Sequence, residues 1–138
     1  MCWIKHQTQP TDNSCVAACI AMACNKPVKE IMAKFHNPEC GIAFDETISA
    51  LADEGVPSIQ YASGSFMPWG RTFLITVPSL NAEAMNHAVI IHANSSKDGI
   101  TIYDPNDGRE GKKVYGRDCD LKCYAEIVEI FPPEEAKQ

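Results

Sequence analysis

No stretch of this chain approaches the ~20 consecutive apolar residues that a membrane-spanning helix needs. Its first residues, Met1-Cys2-Trp3-Ile4-Lys5-His6, do not follow the charged-then-apolar plan of a secretion signal. Basic side chains are scarce too. Against 18 Asp and Glu stand 12 Lys and Arg, a formal charge of −6, and the cations form only small clusters such as Lys112-Lys113. General nucleic-acid binders and proteins docking on anionic membranes need clustered Lys and Arg, so no nucleic-acid or membrane partner is expected. Internal repeats, low-complexity segments and linkers are missing as well. What remains is a cytoplasmic protein of 138 residues with 45% apolar content. That length makes one domain, over residues 1–131, which buries about two-thirds of the surface of its unfolded chain. A polar tail, 132–138, is expected to fray.

Histidines number four, cysteines seven. An odd count in a chain that is not a short secreted one argues against a disulfide framework and for reduced thiols. Cys19 and Cys24 read as small core residues. Cys2, Cys40, Cys119 and Cys123 have no clear chemical context. A zinc site would have to pair Cys15 and Cys19 with Cys119 and Cys123, each pair spaced C-x3-C. That spacing is less specific than the C-x2-C knuckles of zinc fingers and ribbons, and no metal or cofactor is expected.

The chain is organised around residues 9–24, QPTDNSCVAACIAMAC. Turn and cap formers run up to Ser14, and from Cys15 nearly everything is small or apolar, the pattern of a buried helix with Cys15 in its first turn. Unpaired N–H groups at a helix N-terminus favour thiolate over thiol, and the thiolate is the nucleophile. Position therefore singles out Cys15.

Helices come first and strands second. A short lead-in strand is expected over 3–5, then a helix over 15–23, with Asn25-Lys26-Pro27 as a stop and a new start. The second helix, 27–35, places Val28, Ile31, Met32 and Phe35 on one stripe. A third has Asp45 near its start and Gly55 after its end. From Val56 the pattern turns β-branched with period two, and strands are expected over 58–61, 72–77, 87–93, 99–104 and 125–131. This segregation predicts an α+β domain whose mostly antiparallel sheet packs on the first helix. In the loop 63–70, Phe66 and Trp69 either wall a substrate cleft or plug the edge of the sheet.

A thiolate needs a base. His6 and His36 have no acid partner visible in their contexts. His87 and His92 share one strand, but their separation of five points them to opposite faces, so one alone can face Cys15. His87 opens the strand, where a functional side chain is easier to expose. The strands flanking residues 94–98 should pair as a hairpin, bringing the start of the first near the end of the second. Depending on loop length, the residue opposite His87 falls anywhere from Asp104 to about Gly108, so Asp104 has Asp107 as a rival; a carboxylate there would hold the imidazole's tautomer. Taken alone, Asp104-Pro105 is plain turn chemistry.

Gln9, five residues, Cys15 opening an alanine-rich helix, a His-x-Val strand at His87 and a strand ending Asp104-Pro105 together resemble the papain-like cysteine peptidases. The nearest branch is the bacteriocin-processing peptidase domains that cleave after a double glycine. The resemblance implies a papain-like fold and roles residue by residue. Cys15 would be the nucleophile, His87 the general base and acid, Asp104 the residue that orients it, and Gln9 an oxyanion-hole amide. It also implies a peptide or protein substrate. Leader peptidases usually carry Gly directly after the nucleophile, whereas this chain has Val16, so the substrate is not inherited with the fold. Nor does the chain carry the transmembrane and ATP-binding domains that accompany many such peptidases. Three function classes follow: peptide hydrolysis, acyl transfer or deamidation by the same triad, and a non-catalytic binding module. Oligomeric state is left open.

Overall fold

The computed structural model describes residues 2–39, 41–62, 67–81, 85–115 and 126–133. Three helices, α1 (Cys15–Cys24), α2 (Val28–Phe35) and α3 (Phe44–Asp53), precede five strands. The strands are β1 (Ser58–Tyr61), β2 (Thr72–Pro78), β3 (Asn86–Ser95), β4 (Gly99–Tyr103) and β5 (Glu126–Ile130), and their spatial order is β1-β5-β2-β3-β4. Every pairing is antiparallel. The α+β architecture, with helices leading and an antiparallel sheet following, is the one expected.

Apart from Cys15, every residue of α1 is buried. A helix that is apolar all round has no solvent face and becomes the middle of the core, where Ile20 and Met22 pack with Leu74, Ala88, Ile90 and Val128 of the sheet. Asn25 ends α1 in the left-handed conformation at φ 58°, the N–H groups of Asn25 and Lys26 both reaching the Ala21 carbonyl. In α2 only Ile31 is fully buried, with Val28, Met32 and Phe35 packed around it. Lys26 and Lys34 meet the buried Glu54 at 2.7 and 3.1 Å, tying α2 to the end of α3. At the start of α3 the Glu46 carboxylate accepts the Ala43 N–H.

One expectation fails. Residues 3–5 form no strand, because Trp3 and Ile4 are committed to α1: Trp3 Nε1 donates to the Ala23 carbonyl at 2.8 Å and Ile4 is buried in the core. Of the expected tail, Pro133 is buried, and residues 134–138 lie outside the described ones. Period two is hidden in β2, whose first six residues are all buried. Leu74 faces α1, whereas Phe73, Ile75 and Val77 join Val89, Ile91, Tyr115 and Ile127 in a second cluster on the opposite face.

Candidate active site

Cys15 opens α1 and is half-buried. Ser14 stands at the N-cap without capping the helix by its side chain, because its hydroxyl is engaged by the preceding turn. It donates to the Thr11 carbonyl and accepts the Thr11 N–H, both at 3.0 Å. That turn is pressed from outside by Gly41 (φ +75°), where an added Cβ would lie 2.4 Å from the Asn13 carbonyl oxygen, so only glycine fits.

The approach to the nucleophile is stitched to the loop after β4. His6 Nε2 contacts the Asp104 carbonyl at 2.8 Å, the Thr8 hydroxyl donates to the Asp107 carbonyl at 2.7 Å, and the Gln9 N–H donates to the Pro105 carbonyl at 2.8 Å. Gly108 (φ +98°) allows the close approach, since a Cβ there would sit 2.8 Å from the Thr8 hydroxyl oxygen. The segment ahead of Cys15 and the segment after Asp104 therefore form one rigid junction.

Of the four sequence candidates, the structure brings Cys15, His87 and Asp104 together. His87 is buried at the start of β3, its Nε2 2.6 Å from Asp104 Oδ1. Asp104 is buried as well, and its two oxygens accept the N–H groups of Asn106 (2.9 Å) and Tyr115 (3.0 Å). Burial pushes the Asp104 carboxyl up, but the His87 bond and these two amides outweigh it and hold its pKa below the usual carboxylate range. An ionised carboxylate can only accept, so Nε2 of His87 carries hydrogen and Nδ1 is left for the sulfur. The rival Asp107 is exposed and joins the turn through its backbone, its N–H donating to the Asp104 carbonyl and its carbonyl accepting the Thr8 hydroxyl.

The electrostatics oppose burial at each member. Burial raises the Cys15 thiol, yet the His87 hydrogen bond and charge, with the N–H groups of Ala88 and Val16, bring its pKa below the ordinary thiol value. Burial also disfavours the His87 cation, but Asp104 and Cys15 overcome it and raise the imidazole to about 9. A thiolate facing an imidazolium is the state such shifts favour.

His92 and His36 lie elsewhere. His92 Nδ1 meets the Thr72 hydroxyl at 2.8 Å, and His36 Nδ1 is buried without a hydrogen-bond partner among the described residues. Strand parity groups His87 with Val89 and Ile91, the face turned from α1, yet its ring is within hydrogen-bonding reach of Cys15. Gln9 is buried in the loop before α1, with Nε2 donating to the Thr11 carbonyl at 2.7 Å and Oε1 without a partner among the described residues. The Thr11 acceptor fixes which end of the amide is nitrogen.

Tyr115 was not legible as a site residue. Besides its N–H bond to Asp104, its ring stacks on the His87 imidazole, centroids 6.0 Å apart and planes within 9°, and its hydroxyl donates to the Pro78 carbonyl. It follows the polar run Gly111-Lys112-Lys113, which carries no periodic signal. Trp69, the cleft-wall candidate, is half-exposed and lines neither cavity beside Cys15; Phe66 lies outside the described residues, as do Cys40, Cys119 and Cys123.

Two cavities flank the sulfur. One, of about 320 Å³, contains His87, Asn81, Asn106, Arg109 and Lys112; the other, of about 290 Å³, contains Val16, Ile42, Phe44, Ala88 and Glu126. Asp12, Met85 and Asn86 line both.

The fold resembles that of two solved double-glycine peptidase domains. Two solved structures carry the likeness. A double-glycine-motif protease from an AMS/PCAT transporter, in complex with the leader peptide, superposes with a TM-score of 0.64 at 15% identity, over 94% of this chain and 91% of that one. The peptidase domain of Streptococcus ComA, a bi-functional ABC transporter involved in quorum sensing, superposes with a TM-score of 0.66 at 12% identity, over 94% and 98%. No family model and no curated protein matches the sequence. Among the described residues, no helix is long and apolar enough to cross a membrane.

Proposed function

We propose that this protein is a cysteine peptidase that hydrolyses a peptide bond, with Cys15 as nucleophile, His87 as base and acid, Asp104 as the residue that orients His87, and Gln9 in the oxyanion site. The observation that carries the reading is the 2.6 Å contact between His87 Nε2 and the buried Asp104 carboxylate, with the Cys15 thiol shifted toward thiolate beside the same ring. The likeness to a peptidase domain in complex with a leader peptide supports a peptide partner. The free thiols of Cys2, Cys15, Cys19 and Cys24 suit a reducing compartment, the cytoplasm.

The chemistry follows from the proton inventory. His87 Nδ1 holds the proton taken from Cys15, and the sulfur attacks the carbonyl carbon. Negative charge gathers on the carbonyl oxygen, where the Cys15 backbone N–H and the second Nε2 hydrogen of Gln9 stabilise it. As the C–N bond breaks, His87 gives its proton to the leaving nitrogen, which departs as a neutral amine and leaves a thioester. Water attacks that thioester, passing one proton to His87 and releasing the acid, and the proton returns to the sulfur as needed. Asp104 stays ionised throughout and keeps Nδ1 facing the reacting atoms.

Val16 lines the 290 Å³ cavity next to the sulfur. A β-branched side chain there narrows the groove, so the cleavage motif differs from that of enzymes with Gly at this position. Cys15→Ala should abolish cleavage of a peptide pool while preserving the circular dichroism spectrum and melting temperature. Gln9→Ala should slow turnover by about 10²- to 10³-fold, the usual cost of one oxyanion donor. Cleavage that survives in Cys15→Ala removes the reading.

A further inference from the structure

The two cavities beside Cys15 are chemically unequal. Apart from the shared Asp12, the charged residues lining the His87 cavity are the cations Arg109 and Lys112, whereas Glu126 is the charged residue of the other, otherwise largely apolar cavity. Direction comes from the proton. The leaving nitrogen must receive it from His87, so the leaving segment lies on the side where the imidazole is exposed, and His87 lines the 320 Å³ cavity but not the 290 Å³ one.

We infer that the 320 Å³ cavity is the subsite for the leaving segment of the substrate and selects a carboxylate there, held by Arg109 and Lys112. The assignment of direction rests on the peptidase reading above. The protein already displays the recognition with its own carboxylate: Asp12 Oδ1 is 2.8 Å from Arg109 Nη2 and 3.3 Å from Lys112 Nζ, so both cations converge on a single oxygen. Asn106 Oδ1 accepts a second guanidinium hydrogen bond at 3.3 Å, which fixes the plane of the Arg109 fork. The Asp12 side chain is 78% exposed. An ion pair that open is weak, and Asp12 stays solvated when it lets go. A substrate carboxylate can therefore replace it at little cost and leave the cations paired. Two sources share this chemistry, an Asp or Glu side chain and the terminal carboxylate of a short leaving fragment.

The test needs no known substrate. Cys15 is alkylated at low ionic strength near pH 6 with iodoacetate and with iodoacetamide; the sulfur displaces iodide from both, and the reagents differ by one carboxylate. The iodoacetate-to-iodoacetamide rate ratio should fall about three-fold or more in Arg109→Gln/Lys112→Gln, as expected for removing two charges several ångströms away. It should hold in Lys29→Gln/Lys97→Gln, which removes the same charge from two exposed sites elsewhere. Equal ratios in the two double variants overturn the inference. If in the wild type neither reagent labels Cys15 faster than Cys24, the peptidase reading fails instead, a separate result. In a random peptide pool, Asp or Glu enrichment just after the cut, with or without C-terminal amidation, assigns the side chain. Cleavage near the terminus that amidation blocks assigns the terminal carboxylate, and cleavage indifferent to both overturns the inference.

Discussion

Cys15 and Cys24 occupy the two ends of one ten-residue helix, and their chemistry diverges. Burial pushes the Cys24 thiol up to about 11, Glu54 adding to it, and its Sγ donates weakly to the Ala21 carbonyl. Cys19, between them, is raised well above an ordinary thiol, chiefly by burial, with Cys15 and Asp104 adding to it. Burial acts the same way on Cys15, yet there the outcome reverses, because the sulfur meets the His87 imidazole and the N–H groups of Val16 and Ala88. Helix N-termini supply part of this. The contrast shows that the low thiol is made by the strand that faces the helix as much as by the helix itself.

Removing the imidazole should erase that contrast. His87→Ala leaves burial at Cys15 opposed only by the N–H groups of Ala88 and Val16, so its thiol rises to or above the ordinary value of about 8.5, where at most about 0.3% is thiolate at pH 6. Labelling of Cys15 at that pH should then fall by about 10²-fold or more, even allowing for the lower nucleophilicity of an acidic thiolate, and move toward the slow rate of Cys24. Mass-resolved alkylation reads both sites in one sample. Turnover should follow the same loss.

Neutralising the carboxylate behind the ring should blunt the contrast without removing it. Asp104→Asn keeps an acceptor for Nε2 but withdraws the charge, and turnover should drop by about 10²-fold, the lower end of what a positioned acid–base pair supplies. Stability carries a signature as well. The folded pKa of Asp104 is depressed below the unfolded value of about 3.9, so its contribution is full above that pH and lost as pH falls through the folded value. His87 has the opposite sign. Its folded value is raised from 6.5 to about 9, so its contribution is full below 6.5 and lost as pH rises through about 9. The difference in melting temperature between wild type and Asp104→Asn should thus be widest between about pH 4 and 6.5 and shrink toward pH 9 and below pH 4. A difference that stays flat from pH 5 to 9 breaks the pairing.

The elements were legible where one face or one cap decided them. The sulfur at the head of α1, the stop at Asn25 and the hairpin that returns Asp104 to His87 all follow from local pattern, and the observed bounds of α1 and β2 differ from the expected ones by one residue. Strand order was not legible: β5 lies between β1 and β2, a pairing made across the whole chain that no local pattern encodes. Residues 3–5 misled because Trp3 and Ile4 are apolar for the sake of α1 rather than a strand partner. Tyr115 escaped because its role is long-range. Its amide serves a carboxylate 11 positions earlier, and its ring serves a histidine on β3.

That residue also yields the finest probe of the contrast. Tyr115 is buried, its ring lies parallel to the His87 imidazole, and its hydroxyl is anchored on the Pro78 carbonyl at the end of β2. Tyr115→Phe keeps the stacked ring and the backbone N–H to Asp104 and removes the anchor on Pro78, so it should cost about 1 kcal/mol of stability, the net worth of one hydrogen bond. Cys15 labelling should slow less than ten-fold, because both partners of the imidazole are untouched. Tyr115→Ala separates packing from chemistry: it opens a cavity costing about 3 kcal/mol and lets water reach the Nε2–Asp104 bond, which weakens it. The basic limb of the labelling profile, set by an imidazole near 9, should then move toward neutral pH in Ala and stay in place in Phe. A profile that does not move in Ala makes Tyr115 a packing residue of the second core cluster and nothing more.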